Sequence, residues 1–207
     1  RDLPRSGYNN DFAPHNAIQD DSNEKQQERG EGEDGEHIKL WFPVFQSLSR
    51  AISHKNLQVR TSAVKHLFAL LKAHGHSFSQ NFWKMTFRGV LLPIFDNVQY
   101  LEDQPSKEVS QWLTTTCQST LNQVIGLFLV FFESVSHLLY DCLTLLVRCI
   151  LQNNEKLAAM GVSCLFSLVS SNIPKWKVDM WFQIYTSIGF ILVKSVSDTS
   201  DGLWQGR

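Results

Sequence analysis

Two stretches of this sequence match one another at a constant offset of 98 residues. Leu40 falls on Leu138, Arg50 on Arg148, Ile52 on Ile150 and Asn56 on Asn154. Further along, Leu67-Phe68 falls on Leu165-Phe166, Leu70 on Leu168 and Trp83 on Trp181. Phe42 with Tyr140, Val90 with Ile188 and Ile94 with Leu192 are conservative matches in the same register. Helix periodicity alone does not hold one offset from Leu40 to Ile94, so the chain repeats a structural unit. Half of 98 lies close to the ~40–47-residue period of HEAT and armadillo helix pairs. The expected architecture is an all-α solenoid of antiparallel helix pairs, each burying its apolar face on its neighbours.

The local pattern agrees. Trp41, Phe45, Leu48 and Ile52 follow the spacing of one helix face. Val59, Ala63, Leu67 and Leu70 repeat it, with Arg60, Lys65 and Lys72 off that face. Gly75, between His74 and His76, is expected to stop the second helix. Ser77 and Gln80 have the spacing of a capping box ahead of Phe82-Trp83. Pro105-Ser106 opens a helix expected to run to Phe132; Asn153-Asn154 and Pro174 separate the helices that follow. No alternating strand pattern occurs, so the reading is seven helices of about 14–25 residues joined by short polar turns.

Charge divides the 207 residues near position 37. Residues 1–36 hold ten Asp and Glu against four Arg and Lys, with only Leu3, Tyr8, Phe12 and Ile18 as isolated large apolar residues. Such a segment cannot bury enough surface to offset its chain entropy. It reads as a disordered acidic tail or linker, 37–200 as the repeat region and 201–207 as a terminal tail. The longest apolar run, Val124–Phe132, is nine residues, short of the roughly 20 that a membrane span needs. Starting at Arg1 without a signal segment or lipidation motif, the chain reads as a piece of something longer.

Catalytic chemistry finds no constellation here. Cys117, Cys142, Cys149 and Cys164 lie inside apolar runs without metal-knuckle spacing, as buried thiols would. His74 and His76 flank a glycine, but zinc needs three or four convergent ligands. Neither of the glycine-rich phosphate-binding patterns is present. Glu133 is isolated between Phe132 and Ser134 and reads as a helix-end carboxylate. No Lys/Arg cluster is dense enough for a nucleic-acid footprint. Lys39, Arg50, Lys55, Lys84, Arg88, Lys175, Lys177 and Lys194 are scattered, which suits a solvated rim and allows at most weak contact with an anionic membrane surface. Trp83, Trp112, Trp176 and Trp181, with Phe42, Phe78 and Phe82, are expected mostly in the core. Arg60 is expected to bond an adjacent turn, with Asn56 or a neighbouring repeat as acceptor.

Trp41-Phe42-Pro43, Val59-Arg60-Thr61, Phe95-Asp96-Asn97, Thr114-Thr115-Thr116-Cys117 and Asn154-Glu155-Lys156-Leu157-Ala158 occur in this order. Gly75-His76, Phe87-Arg88, Gly161, Cys164-Leu165 and Trp181 sit between and after them. From Leu40 to Val196 the whole resembles the C-terminal homology-downstream region of the large brefeldin-A-inhibited Arf guanine-nucleotide exchange factors. The resemblance implies a non-catalytic HEAT-like regulatory region, since the family's exchange domain is a separate module whose motif this chain lacks. It implies no cofactor and no metal, and it nominates no partner-binding residue. Its expected partners are Arf-family or related small GTPases, or other domains of the parent protein. The expected place is the cytoplasm, peripheral on trans-Golgi or endosomal membranes. A general HEAT-repeat adaptor unrelated to Arf is the alternative.

Overall fold

A computed structural model describes residues 20–96, 111–171 and 173–204. Its elements are α1 (Asp20–Ala51), α2 (Leu57–His74), α3 (Gln80–Thr86), α4 (Leu113–Val130), α5 (Phe132–Val135), α6 (Leu139–Ile150), α7 (Glu155–Ser171) and α8 (Val178–Trp204). A π turn, Phe87–Leu91, and a 3-10 turn, Leu92–Phe95, prolong α3. The first turn of α4, Leu113–Cys117, is also π-helical. The described residues contain no strand, and the all-α helical-repeat reading holds.

The helices form two layers. In one, α1 packs on α3 and α6 packs on α8; in the other, α2 packs on α4 and α4 on α7. Pairs α1–α2 and α6–α7 join the layers. Ion pairs Arg88–Asp141 (2.9 Å) and Arg148–Asp96 (4.0 Å) join the end of α3 to α6. One apolar core runs through the stack from Phe45 to Ile184. The sequence repeat is visible in the elements: α2 and α7 begin 98 residues apart, and so do α3 and α8. Its caps match too. Asn56 Oδ1 accepts from the Gln58 N–H (2.8 Å), and Asn154 Oδ1 accepts from the Leu157 N–H (3.2 Å).

Several local expectations need correction. α1 begins at Asp20, within the segment read from composition as an acidic tail or linker. Residues 1–19 lie outside the described residues. At the other end α8 runs to Trp204, across the expected boundary at 200. The cap of α3 is Ser79, whose Oγ accepts from the Phe82 N–H (3.0 Å), whereas the Ser77 hydroxyl donates back to the His74 carbonyl. The opening at Pro105-Ser106 lies outside the described residues. Rather than one helix to Phe132, the chain breaks at Phe131 (φ −101°, ψ 27°), and the segments on either side meet at 98°. Gly75 does end α2, but in right-handed conformation (φ −59°). Its role is close approach: a Cβ there would stand 2.6 Å from both Trp83 and Phe131.

The buried face of α2 also differs. Arg60 is buried and Val59 is exposed, the reverse of the periodicity reading. The reason is that α2 lies between α1 and α4, and a helix packed between two neighbours buries more than one stripe. The aromatic expectation holds: Phe78, Phe82, Trp83 and Trp176 are buried, while Phe42, Trp112 and Trp181 pack partly buried against the core.

Candidate interaction surface

The nucleophile-bearing residues are sealed in the core. All four cysteines are free and buried. Burial, the largest cause in each case, pushes the thiols up, Cys149 to about 12 and Cys164 to about 11. Cys117 and Cys142 are raised further still. Such thiols are poor nucleophiles. His74 lies against the Trp41 ring (4.4 Å) and His76 meets Phe131 edge-on (4.9 Å), so the two imidazoles serve different aromatic contacts. His137 is held below the ordinary histidine range, first by burial and then by Lys84 and Arg88. Glu133 is in the first turn of α5, exposed, 3.6 Å from Lys175. Among the described residues no three His, Cys, Asp or Glu side chains converge.

Arg60 occupies the centre of a buried junction. Its Nη1 donates to the carbonyls of His54 (3.0 Å) and Lys55 (2.8 Å), and its Nε donates to Thr116 Oγ1 (3.0 Å) on α4. The adjacent turn and the neighbouring helix are both acceptors, as the sequence suggested; Asn56 is not, because its side chain caps α2. A guanidinium held at three points between helices is structural.

What is left for a partner is surface. Between α6 and α8 lies a groove of about 660 Å³ whose walls include Tyr140, Val147, Leu151, Phe182 and Phe190. Thr144, Gln152, Gln183 and Thr186 give it polar positions. The repeat explains why it is open. On the first unit, Gly89 lets the Phe42 ring sit where a Cβ would come within 2.9 Å of it. On the second unit Tyr140 replaces Phe42 and Ser187 replaces Gly89, and Tyr140 is exposed. Phe182 also stands where the first unit has Lys84. Sequence reasoning named Phe42, Tyr140 and Lys84 but assigned none of them to a binding surface, although the exchange of a lysine for a phenylalanine was visible in the repeat alignment. A shallower groove between α1 and α2 is lined by Leu48, Val59 and Ala63, among others.

No single helix among the described residues is long and apolar enough to cross a membrane. The one bent pair that passes by composition, Leu113–Val130 with Phe132–Ile150, carries much of the buried core.

Residues 41–175 match a family model described as a GBF1-like tetratricopeptide-repeat region. Two helix pairs in 98 residues give a longer period than the ~34 residues of a tetratricopeptide pair. Over 150 residues the chain is 35% identical to the human brefeldin A-inhibited guanine nucleotide-exchange protein 1, covering 72% of this chain and 8% of that protein. It is 34% identical over 150 residues to the Saccharomyces cerevisiae ADP-ribosylation factor guanine nucleotide-exchange factor SEC7, covering 70% and 8%. With the Arabidopsis thaliana brefeldin A-inhibited guanine nucleotide-exchange protein 2, identity is 30% over 178 residues, covering 78% and 10%. The chain thus spans only about a tenth or less of the relatives it matches. No solved structure matches.

Proposed function

This chain belongs to the GBF1-like helical-repeat family of the large Arf guanine-nucleotide exchange factors, and from that premise we propose that it is a non-catalytic regulatory and scaffolding region of such a factor. The observation that carries the reading is the family match across residues 41–175, most of the folded stack. The region acts in Arf activation, and so in Golgi and endosomal vesicle transport, by binding an Arf-family or related GTPase or other domains of the parent protein. Its groove between α6 and α8 supplies apolar area with polar positions around it, the composition of a protein-binding surface rather than of a reaction centre. The buried, protonated thiols support a role without bond chemistry.

The working place proposed is the cytoplasmic face of trans-Golgi or endosomal membranes, with the scattered basic residues adding at most weak peripheral contact. Residues 37–200 are the interaction unit in this scheme, 1–36 an acidic linker ahead of it and 201–207 a tail. The purified chain should be titrated against Arf-family GTPases loaded with GDP or with a non-hydrolysable GTP analogue. Saturable binding that prefers the GTP form and is weakened by Phe182→Asp supports recruitment through the groove. Absence of binding to either form moves the interaction to other domains of the parent, or to an adaptor role unconnected with Arf.

A further inference from the structure

The two repeat units are built alike but are not equally covered. Val64, Phe68, Phe87, Ile94 and Phe95 of the first unit are at most 6% exposed. Their equivalents 98 residues on, Val162, Phe166, Tyr185, Leu192 and Val193, are 54–73% exposed. Each second-unit residue is still apolar or aromatic. The chemistry of the face is kept while its cover is missing.

The first face is covered by the helices that follow it. Helix α4 packs along α2, and the short α5 that follows it packs on α3. On α4, Thr116 bonds Arg60 (3.0 Å) and Gln123 bonds Lys72 (2.8 Å), so the face turned to α2 runs through these two and the buried Thr120 and Leu127. In the two-layer order of the described residues, α2 is followed by α4 and α4 by α7, whereas no described helix follows α7 and none of the other layer packs chiefly on α8. Five exposed large apolar side chains on one end of a stack form the kind of patch that marks an interaction site.

We propose that the exposed face of α7 and α8 is a docking site for one amphipathic α-helix equivalent to α4, supplied by a further helical repeat. The occupant presents the corresponding face, at i, i+4, i+7 and i+11, the spacing of Thr116, Thr120, Gln123 and Leu127, with apolar side chains for the apolar residues it meets. It needs no hydroxyl at the place of Thr116. At the place of Arg60 the second unit has Ala158, so the second face lacks the guanidinium that α4 satisfies in the first. The inference rests on the internal repeat alone and is independent of any connection with Arf.

The test uses the full chain and a fluorescein-labelled peptide of residues 111–131, with Cys117→Ser and three added lysines for solubility. Anisotropy is expected to show saturable binding that Phe166→Asp and Tyr185→Asp each weaken at least tenfold. Both residues are exposed in the free chain, so both variants should keep the parent melting temperature. Phe182→Asp, in the groove between α6 and α8, should leave peptide affinity unchanged, which separates this face from the proposed GTPase surface. Absent binding, or binding insensitive to Phe166→Asp and Tyr185→Asp, overturns the proposal. So does a dimer in sedimentation that both substitutions dissolve, because a second copy would then be the occupant.

Discussion

Arg60 is the residue whose removal should be felt most widely for its size. Arg60→Ala leaves the carbonyls of His54 and Lys55 and the Thr116 hydroxyl without their donor. A loss of about 3 kcal/mol is expected in urea unfolding, with about 1.5–3 kcal/mol for Thr116→Val, which removes the single bond to α4. The glycines give a contrast in sign. Gly75→Ala drives a Cβ to 2.6 Å from two rings and should cost about 1–3 kcal/mol. Gly126, mid-helix with open space where its Cβ would be, should gain about 0.5–1 kcal/mol on replacement by Ala. Thermal melts of the two variants shift in opposite directions if the geometry is right. These residues also mark what the sequence could convey. Apolar positions at helical spacing read out directly, since Phe45, Ile52 and Leu67 are buried where periodicity put them. A buried arginine does not, because its burial depends on a carbonyl pair and a hydroxyl 56 residues away. Ser79 rather than Ser77 caps α3 because the choice is made by backbone conformation, extended at Ser79 (φ −68°, ψ 163°), and two serines two apart carry the same chemistry.

Among the helices, the repeat makes a paired prediction. Phe68→Ala should cost about 3–5 kcal/mol, a full aromatic removed from the core. Phe166→Ala, at the same repeat position, should stay within about 0.5 kcal/mol of the parent, as an exposed substitution does. Equal costs in denaturant titrations would mean that the second face is covered in the free chain. The boundary at Asn153-Asn154 was legible, and Asn154 caps the helix that follows it; Asn56 caps α2 in the same way, although the sequence reading took it as an acceptor for Arg60. Winding was not legible. The turn Phe87–Leu91 is π-helical, while its equivalent lies within the α-helix α8. The break at Phe131 was likewise hidden inside the apolar run, because its cause is tertiary: the Phe131 ring packs 5.0 Å from Trp83.

For the molecule as a whole, the all-α stack and its two-unit construction followed from the 98-residue offset. The groove did not, since opening it depends on which of two similar units seats its aromatic ring. Stability should carry an alkaline signature. The buried thiols have folded values above their unfolded ones, so their contribution is complete below about pH 9 and is lost as pH rises towards the folded values, about 11 for Cys164 and about 12 for Cys149. Melting temperature should therefore fall steadily between about pH 9 and 11, and Cys149→Ala should flatten part of that slope. In the same vein, Ellman's reagent at pH 8 should find no thiol in the native chain and four after guanidinium unfolding.

The layered stack also has a mechanical meaning. Each helix is held chiefly by its immediate neighbours, and α8 takes its principal packing from α6 alone. Pulled by its two ends, such a chain should not rupture in one event but shed its turns in sequence, as links of a spring of unequal stiffness. α8 should peel away at the lowest force. The pair bolted together by Arg60 across α2 and α4 should yield late, so tension on the chain would bare the face of α6 long before it disturbed the opposite end.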